Sequence, residues 1–200
     1  MNDVIAIIVS ALYVAVVLFF SAFLAKKRIL SAESSRKLVH FLVSLWIFIM
    51  VYWMESLWAR IIGPISFIFI NAYLMRKRDF EEASGMIYFP ITLLSVSLLY
   101  SYSIIDSSAA LSSILVMGAG DSTAALVGMK IGKHGFFSKS LEGSAAMFLV
   151  SFIVLALFSS LSLPLALLAA AAAAFIEAMT PHGLDNLTVP FAVILMLEVL

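Results

Sequence analysis

From Val4 to Leu24 the chain runs for about 21 residues without a charged side chain. A helix of that length crosses the roughly 30 Å hydrocarbon core of a bilayer. Inside hydrocarbon every backbone N–H and C=O must be satisfied by the protein itself, which leaves helices or a closed barrel. The run shows no polar–apolar alternation, so it reads as a helix. A secretory leader has a shorter apolar stretch behind a positive segment. Here Asp3 precedes the run, and Lys26, Lys27 and Arg28 follow it. That order predicts a spanning helix with its N-terminus outside.

Further apolar runs follow at roughly 38–54, 61–75, 87–103, 109–127, 144–162, 165–180 and 188–200. The expected fold is therefore an all-α, polytopic transmembrane bundle of about seven full spans plus a short C-terminal one. Charged residues make up 12% of the chain, about half the share of a soluble domain. With the N-terminus outside, eleven of the twelve basic residues fall on the inner side and only Arg60 on the outer, as the positive-inside rule requires. No internal repeat is evident, and Ala169–Ala174 is a small-residue stretch suited to close helix packing. The chain reads as one membrane domain over 1–200, with the first span and its basic loop in 1–34 and a candidate catalytic bundle in 35–200.

Several chemistries are excluded early. The absence of cysteine removes disulfides, thiolate catalysis and zinc–cysteine sites. The histidines, His40, His134 and His182, stand in no metal-ligand spacing. Acidic and basic residues balance at 12 each, so net charge calls for no nucleic acid partner.

What remains is concentrated in the inner loops. Arg36 and His40, four apart, share a helix face, with Lys37 beside them. The second loop mixes charges from Arg76 to Glu82 and then passes through Gly85 to Pro90, as an ordered turn before a helix start would. Asp121 lies within an apolar span, where a carboxylate is costly and usually functional. It needs either a basic partner such as Arg36 or Lys37, or a divalent metal shared with Asp185 or Glu177. Gly118, Asp121, Ala125, Gly128 and Gly132 form a stripe of small side chains that admits another helix or a ligand close to the backbone. The third loop, from Lys130 through Lys133 and Lys139 to Ser140, Glu142, Gly143 and Ser144, has the make-up of a phosphate cradle. It lacks the GxxxxGK[ST] pattern of a P-loop. Glu177, Asp185 and Asn186 add hard oxygen donors. Carboxylates and lysines on one membrane face suit Mg²⁺, a nucleotide polyphosphate and a lipid acceptor.

At these residues the chain resembles the CTP-dependent polyprenol kinase family, which includes dolichol, phytol and CTP-dependent diacylglycerol kinases. That family is distantly similar to the phosphatidate cytidylyltransferases. The matching pieces are Arg36-Lys37-x-x-His40, Glu82-x-x-Gly85-x-x-Tyr88-Phe89, Gly120-Asp121-x-x-Ala124-x-x-x-Gly128, Gly132-Lys133, Lys139-Ser140-x-Glu142-Gly143-Ser144, and Glu177 with Asp185-Asn186-x-Thr188-x-Pro190. The resemblance implies transfer of the CTP γ-phosphate to a membrane lipid alcohol, such as dolichol, phytol, geranylgeraniol or diacylglycerol, on the cytoplasmic side. It implies Mg²⁺ on Asp121 with Glu177 or Asp185, and catalytic roles for Asp121, Lys139, Glu142 and His40. Nucleotide binding would draw on Arg36, Lys37, Lys130, Lys133, Ser140, Gly143, Ser144, Gly120 and Gly128. The alternatives are CDP-lipid synthesis from CTP, which changes the phosphorus attacked, and a lipid transporter, which would place its ionisable groups at mid-bilayer within inverted repeats.

Overall fold

The computed structural model describes residues 2–76, 80–181 and 183–200, and for 80–83 the backbone alone. Lys77, Arg78, Asp79 and His182, and the side chain of Glu82, therefore lie outside the described residues. The elements are α1 (Asp3–Lys26), α2 (Ala32–Ser44), α3 (Trp46–Trp53), α4 (Leu57–Met75), α5 (Phe80–Ser101), α6 (Ser107–Leu115), a π-helical turn (Val116–Gly120), α7 (Asp121–Ile131), a hairpin of β1 (Gly135–Phe136) and β2 (Lys139–Ser140), α8 (Leu141–Phe158), α9 (Leu163–Met179) and α10 (Asp185–Val199).

Among the described residues, six helical stretches are long and apolar enough to cross a membrane: Asp3–Lys26, Ala32–Trp53, Leu57–Met75, Ser84–Ser101, Ser107–Ile131 and Leu141–Phe158. Two of these are composite, α2 with α3 and α6 with α7. The expected seventh full span is shorter, since α9 has 17 residues. The last helix has 15 residues and starts at Asp185, earlier than hydropathy suggests.

The helices also begin ahead of their apolar runs at 32, 80 and 141. Serine caps explain two of these starts. Ser31 accepts from the Ser34 N–H, and Ser140 accepts from the Gly143 N–H, satisfying amides that would otherwise lack a partner. Hydropathy marks where lipid contact begins, not where the hydrogen-bond ladder begins.

At the end of the bundle away from these starts, Asp3 accepts hydrogen bonds from the Glu55 and Ser56 N–H groups, clasping α1 to the α3–α4 turn. The Arg60 guanidinium donates to the Met54 carbonyl and lies over the Tyr100 ring. The interior includes Met50, Val96, Ile114, Met117, Leu155, Ala170 and Val193. Ala166, Ala169, Ala170, Ala173, Ala174 and Ala178 are the buried face of α9, which packs closely on α8. The packing expected of this small-residue stretch is therefore present.

A buried carboxylate cluster at one end of the bundle

Asp121 opens α7 directly after the π-helical turn. Insertions of this kind rotate the following residues and recur at functional sites. The turn is packed against α2 through Gly118, where an added Cβ would stand 2.1 Å from Ser44 Cβ. This close approach brings Lys37 of α2 to Asp121. Lys37 Nζ donates to both carboxylate oxygens, at 2.8 and 2.6 Å. Ser122 Oγ ties the two elements again by donating to the Lys37 carbonyl. Of the two basic partners open to Asp121, the structure uses Lys37. Arg36 is instead held by Glu33 in a bidentate pair, half-buried with its guanidinium beside Gly85.

Glu177 lies near the end of α9 and Asp185 at the start of α10, on either side of the turn that joins them. They meet Lys139, whose Nζ is 3.0 Å from Glu177 Oε1 and 2.7 Å from Asp185 Oδ2. The β1–β2 hairpin delivers that lysine. Ser138 at its turn donates through both N–H and Oγ to the Ala178 carbonyl. Phe137 adopts a left-handed φ of 50° and packs edge-on against Phe175 of α9. The hairpin is thus pinned across the end of α9, with Lys139 reaching beneath it. Burial alone would lower the Lys139 pKa, but Asp185 and Glu177 hold it well above the ordinary lysine value. Lys139 is therefore a fixed cation near neutral pH.

Asp121, Glu177 and Asp185 form a group in which one oxygen from each lies within 4.8 Å of the others. They are 2%, 1% and 3% exposed. Three buried carboxylates face two lysines, an arrangement one positive charge short. Glu177 Oε2 has no hydrogen-bond partner among the described residues. Three buried carboxylates drawn this close, one of them with an orphaned oxygen, fit a small divalent cation such as Mg²⁺.

The other expected site residues divide. His40, 6% exposed, stacks on Phe89 at 4.6 Å between ring centroids, and its Nδ1 has no partner among the described residues. The Asn186 side chain donates through Nδ2 to the Gly85 carbonyl, and its backbone carbonyl accepts from Thr92 Oγ1. These contacts tie together residues far apart in the sequence, Gly85 with Asn186 and His40 with Phe89. Glu142 is not in the cluster: it binds His134 at 2.8 Å on the outer side of the hairpin. Lys130 and Lys133 are exposed.

The glycines expected at a nucleotide face the chain itself. A Cβ on Gly120 would strike Met147, one on Gly128 would strike Ser140 Oγ, and one on Gly143 would strike the Ala124 carbonyl. The small stripe on α7 therefore accommodates α8 and β2. Ser140 is committed to capping α8. Ser144 is buried with an unpartnered Oγ among the described residues. Glu33 and Ser122 went unnoticed in the sequence, although each had a visible signal: Glu33 lies one helical turn from Arg36, and Ser122 adjoins Asp121.

No family model matches the chain, and no solved structure matches it. An uncharacterized protein of Methanocaldococcus jannaschii is 36% identical over 121 residues, covering 58% of this chain and 59% of that protein. The matched segment thus spans less than two thirds of either curated relative. Over 88 residues, 38% of each chain, the protein is similar to the phytol kinase of Synechocystis sp., at 43% identity.

Proposed function

We propose that this protein is a lipid-alcohol kinase that transfers the γ-phosphate of CTP, with Mg²⁺, to an isoprenoid-type alcohol at the cytoplasmic face of a membrane. The observation that carries the reading is the cluster of Asp121, Glu177 and Asp185, whose one unpartnered oxygen is buried beside two lysines. The local likeness to a phytol kinase supports the choice of acceptor.

Asp121, Glu177 and Asp185 would hold the metal, which would supply positive charge to offset that on the transferring group. Lys37 holds both oxygens of Asp121 and so orients the carboxylate. Lys139 sits where phosphate oxygens would approach, so it can exchange a carboxylate contact for a phosphate contact. His40 carries the buried, unpartnered Nδ1 and receives the hydroxyl proton as the alcohol oxygen bonds to the γ-phosphorus. The bond from that phosphorus to the β–γ bridging oxygen breaks, and CDP leaves. The exposed Lys130 and Lys133 attract the incoming polyanion.

The test uses purified protein in nanodiscs, with CTP labelled at the γ or the α phosphate, ATP as comparison, and phytol, geranylgeraniol and diacylglycerol as acceptors. Mg²⁺-dependent γ-label in an extracted lipid is expected. α-Label in the lipid would replace this reading with cytidylyl transfer, and no label from either would remove the enzyme.

A further inference from the structure

Every carboxylate of the trio already carries an ammonium. Lys139 Nζ stands 3.0 Å from Glu177 Oε1 and 2.7 Å from Asp185 Oδ2, and Lys37 Nζ holds both oxygens of Asp121. With all five groups ionised the cluster is one positive charge short. A divalent cation added to it, with both lysines kept, would leave one positive charge in excess instead. The three carboxylates are nearly inaccessible, so water cannot screen that excess, and either an ammonium leaves or an anion enters. Mg²⁺ takes oxygens at about 2.0–2.1 Å, and an ammonium hydrogen-bonded to those same atoms would face its double charge at close range.

The two lysines differ in freedom. The Lys37 side chain is 9% exposed and lies on α2, whose backbone at that residue is tied to α7 by Ser122. The Lys139 side chain is 29% exposed and projects from a strand of two residues. The hairpin that carries it is pinned through other groups: Ser138 to the Ala178 carbonyl, Phe137 to Phe175, and the Leu141 N–H to the His134 carbonyl. None of these contacts involves the Lys139 ammonium, so it can swing away from Glu177 and Asp185 while the backbone stays in place. Lysine suits such a movement, being a point charge on a flexible four-carbon stem. Glu177 Oε2, buried and without a partner among the described residues, marks the side of the pair that the ammonium does not serve.

We propose that Lys139 is an internal competitor of the divalent cation, a proposal that rests on the kinase reading above. Its ammonium holds Glu177 and Asp185 while the site is free of phosphate, and passes to a polyphosphate when one arrives. The carboxylates therefore accept the metal together with a phosphate chain and not alone, and the ligand of the site is the metal–polyphosphate chelate rather than the free ion. A fixed structural ion pair, the competing role for Lys139, would not couple the two ligands.

The test reads metal binding and needs no turnover. The protein in phosphatidylcholine nanodiscs is dialysed against radioactive Mn²⁺, a probe for Mg²⁺, with and without the β,γ-methylene analogue of CTP, and empty nanodiscs give the background. Bound metal is compared at equal free Mn²⁺. The analogue is expected to raise the affinity of the unmodified protein for Mn²⁺ about tenfold or more. Lys139→Met is expected to bind Mn²⁺ without the analogue about tenfold more tightly than the unmodified protein, and to lose most of the effect of the analogue. Lys139→Arg, which keeps the charge, is expected to keep the unmodified pattern. Loss of the ammonium leaves buried carboxylates unpaired, so the melting temperature of Lys139→Met is expected to be low without Mn²⁺ and to recover with it. Tight Mn²⁺ binding by the unmodified protein that ignores the analogue overturns the proposal, a result read without any variant, and leaves the metal site and the kinase reading standing. A Lys139→Met protein whose Mn²⁺ affinity and response to the analogue are unchanged does the same. Absence of bound Mn²⁺ from the unmodified protein and both variants, with or without the analogue, removes the metal site and the kinase reading with it.

Discussion

Asp121 and Glu177 share one pocket yet are expected to answer neutral substitution in opposite ways. Asp121 binds Lys37 through both oxygens, in a site where each side chain is nearly inaccessible. Asp121→Asn strands that ammonium and is expected to cost roughly 3–5 kcal/mol, read as a fall in detergent melting temperature. Adding Lys37→Met is expected to recover most of that stability and none of the activity; recovery of activity would reduce Asp121 to a structural partner. Glu177 is different, because its carboxylate belongs to a trio that outnumbers its lysines and one of its oxygens is unpartnered. Glu177→Gln is expected to leave the melting temperature unchanged or raise it, by about 1 kcal/mol of stability at most, while phosphoryl transfer falls by roughly two orders of magnitude. A marked loss of stability in that variant would identify Glu177 as structural. The carboxylates were legible in the sequence because a charge inside an apolar run is conspicuous. The choice of Lys37 over Arg36 was not, since neighbours on a helix point about 100° apart and only the docking of α7 selects between them.

Among the elements, the π-helical turn and the hairpin position the charges. Gly118 lets α2 approach so closely that an added Cβ would overlap Ser44. Gly118→Ala is expected to destabilise the protein by roughly 1–3 kcal/mol, with partial rescue by Ser44→Gly; a silent Gly118→Ala would mean that the two helices can separate without cost. Six spans were readable from apolar length, whereas the seventh expected one is a helix of 17 residues. The hairpin was not, because its strands have two residues each and its turn places Phe137, rather than the usual glycine or asparagine, in the left-handed region. The glycine stripe was ambiguous for a related reason: a surface without side chains admits a helix and a phosphate equally, and only the position of α8 decides. Glu142 stands apart from the cluster because its place in the first turn of α8 carries it to His134.

At the scale of the whole molecule, the helix connections place the hairpin and the α9–α10 turn at one end and the Ser103 turn at the other. Among the described residues, the basic side chains other than Arg60 gather at the hairpin end. Because the chain has no cysteine, single substitutions report sidedness cleanly. Gly135→Cys, where an added side chain would meet nothing within 4 Å, is expected to react with an impermeant maleimide only after cells are opened, and Ser103→Cys in intact cells. The reverse pattern would invert the orientation. The ion pairs also join distant parts of the chain, Lys37 to Asp121 across 84 positions and Lys139 to Asp185 across 46. During synthesis, the ribosome therefore makes Lys37, Asp121 and Lys139 before it has made Asp185. A nascent chain released before Asp185 therefore carries an incomplete set of charges, with one carboxylate of the trio missing and Lys139 short of one of its two acidic partners, so the cluster is whole only once the last helix has begun.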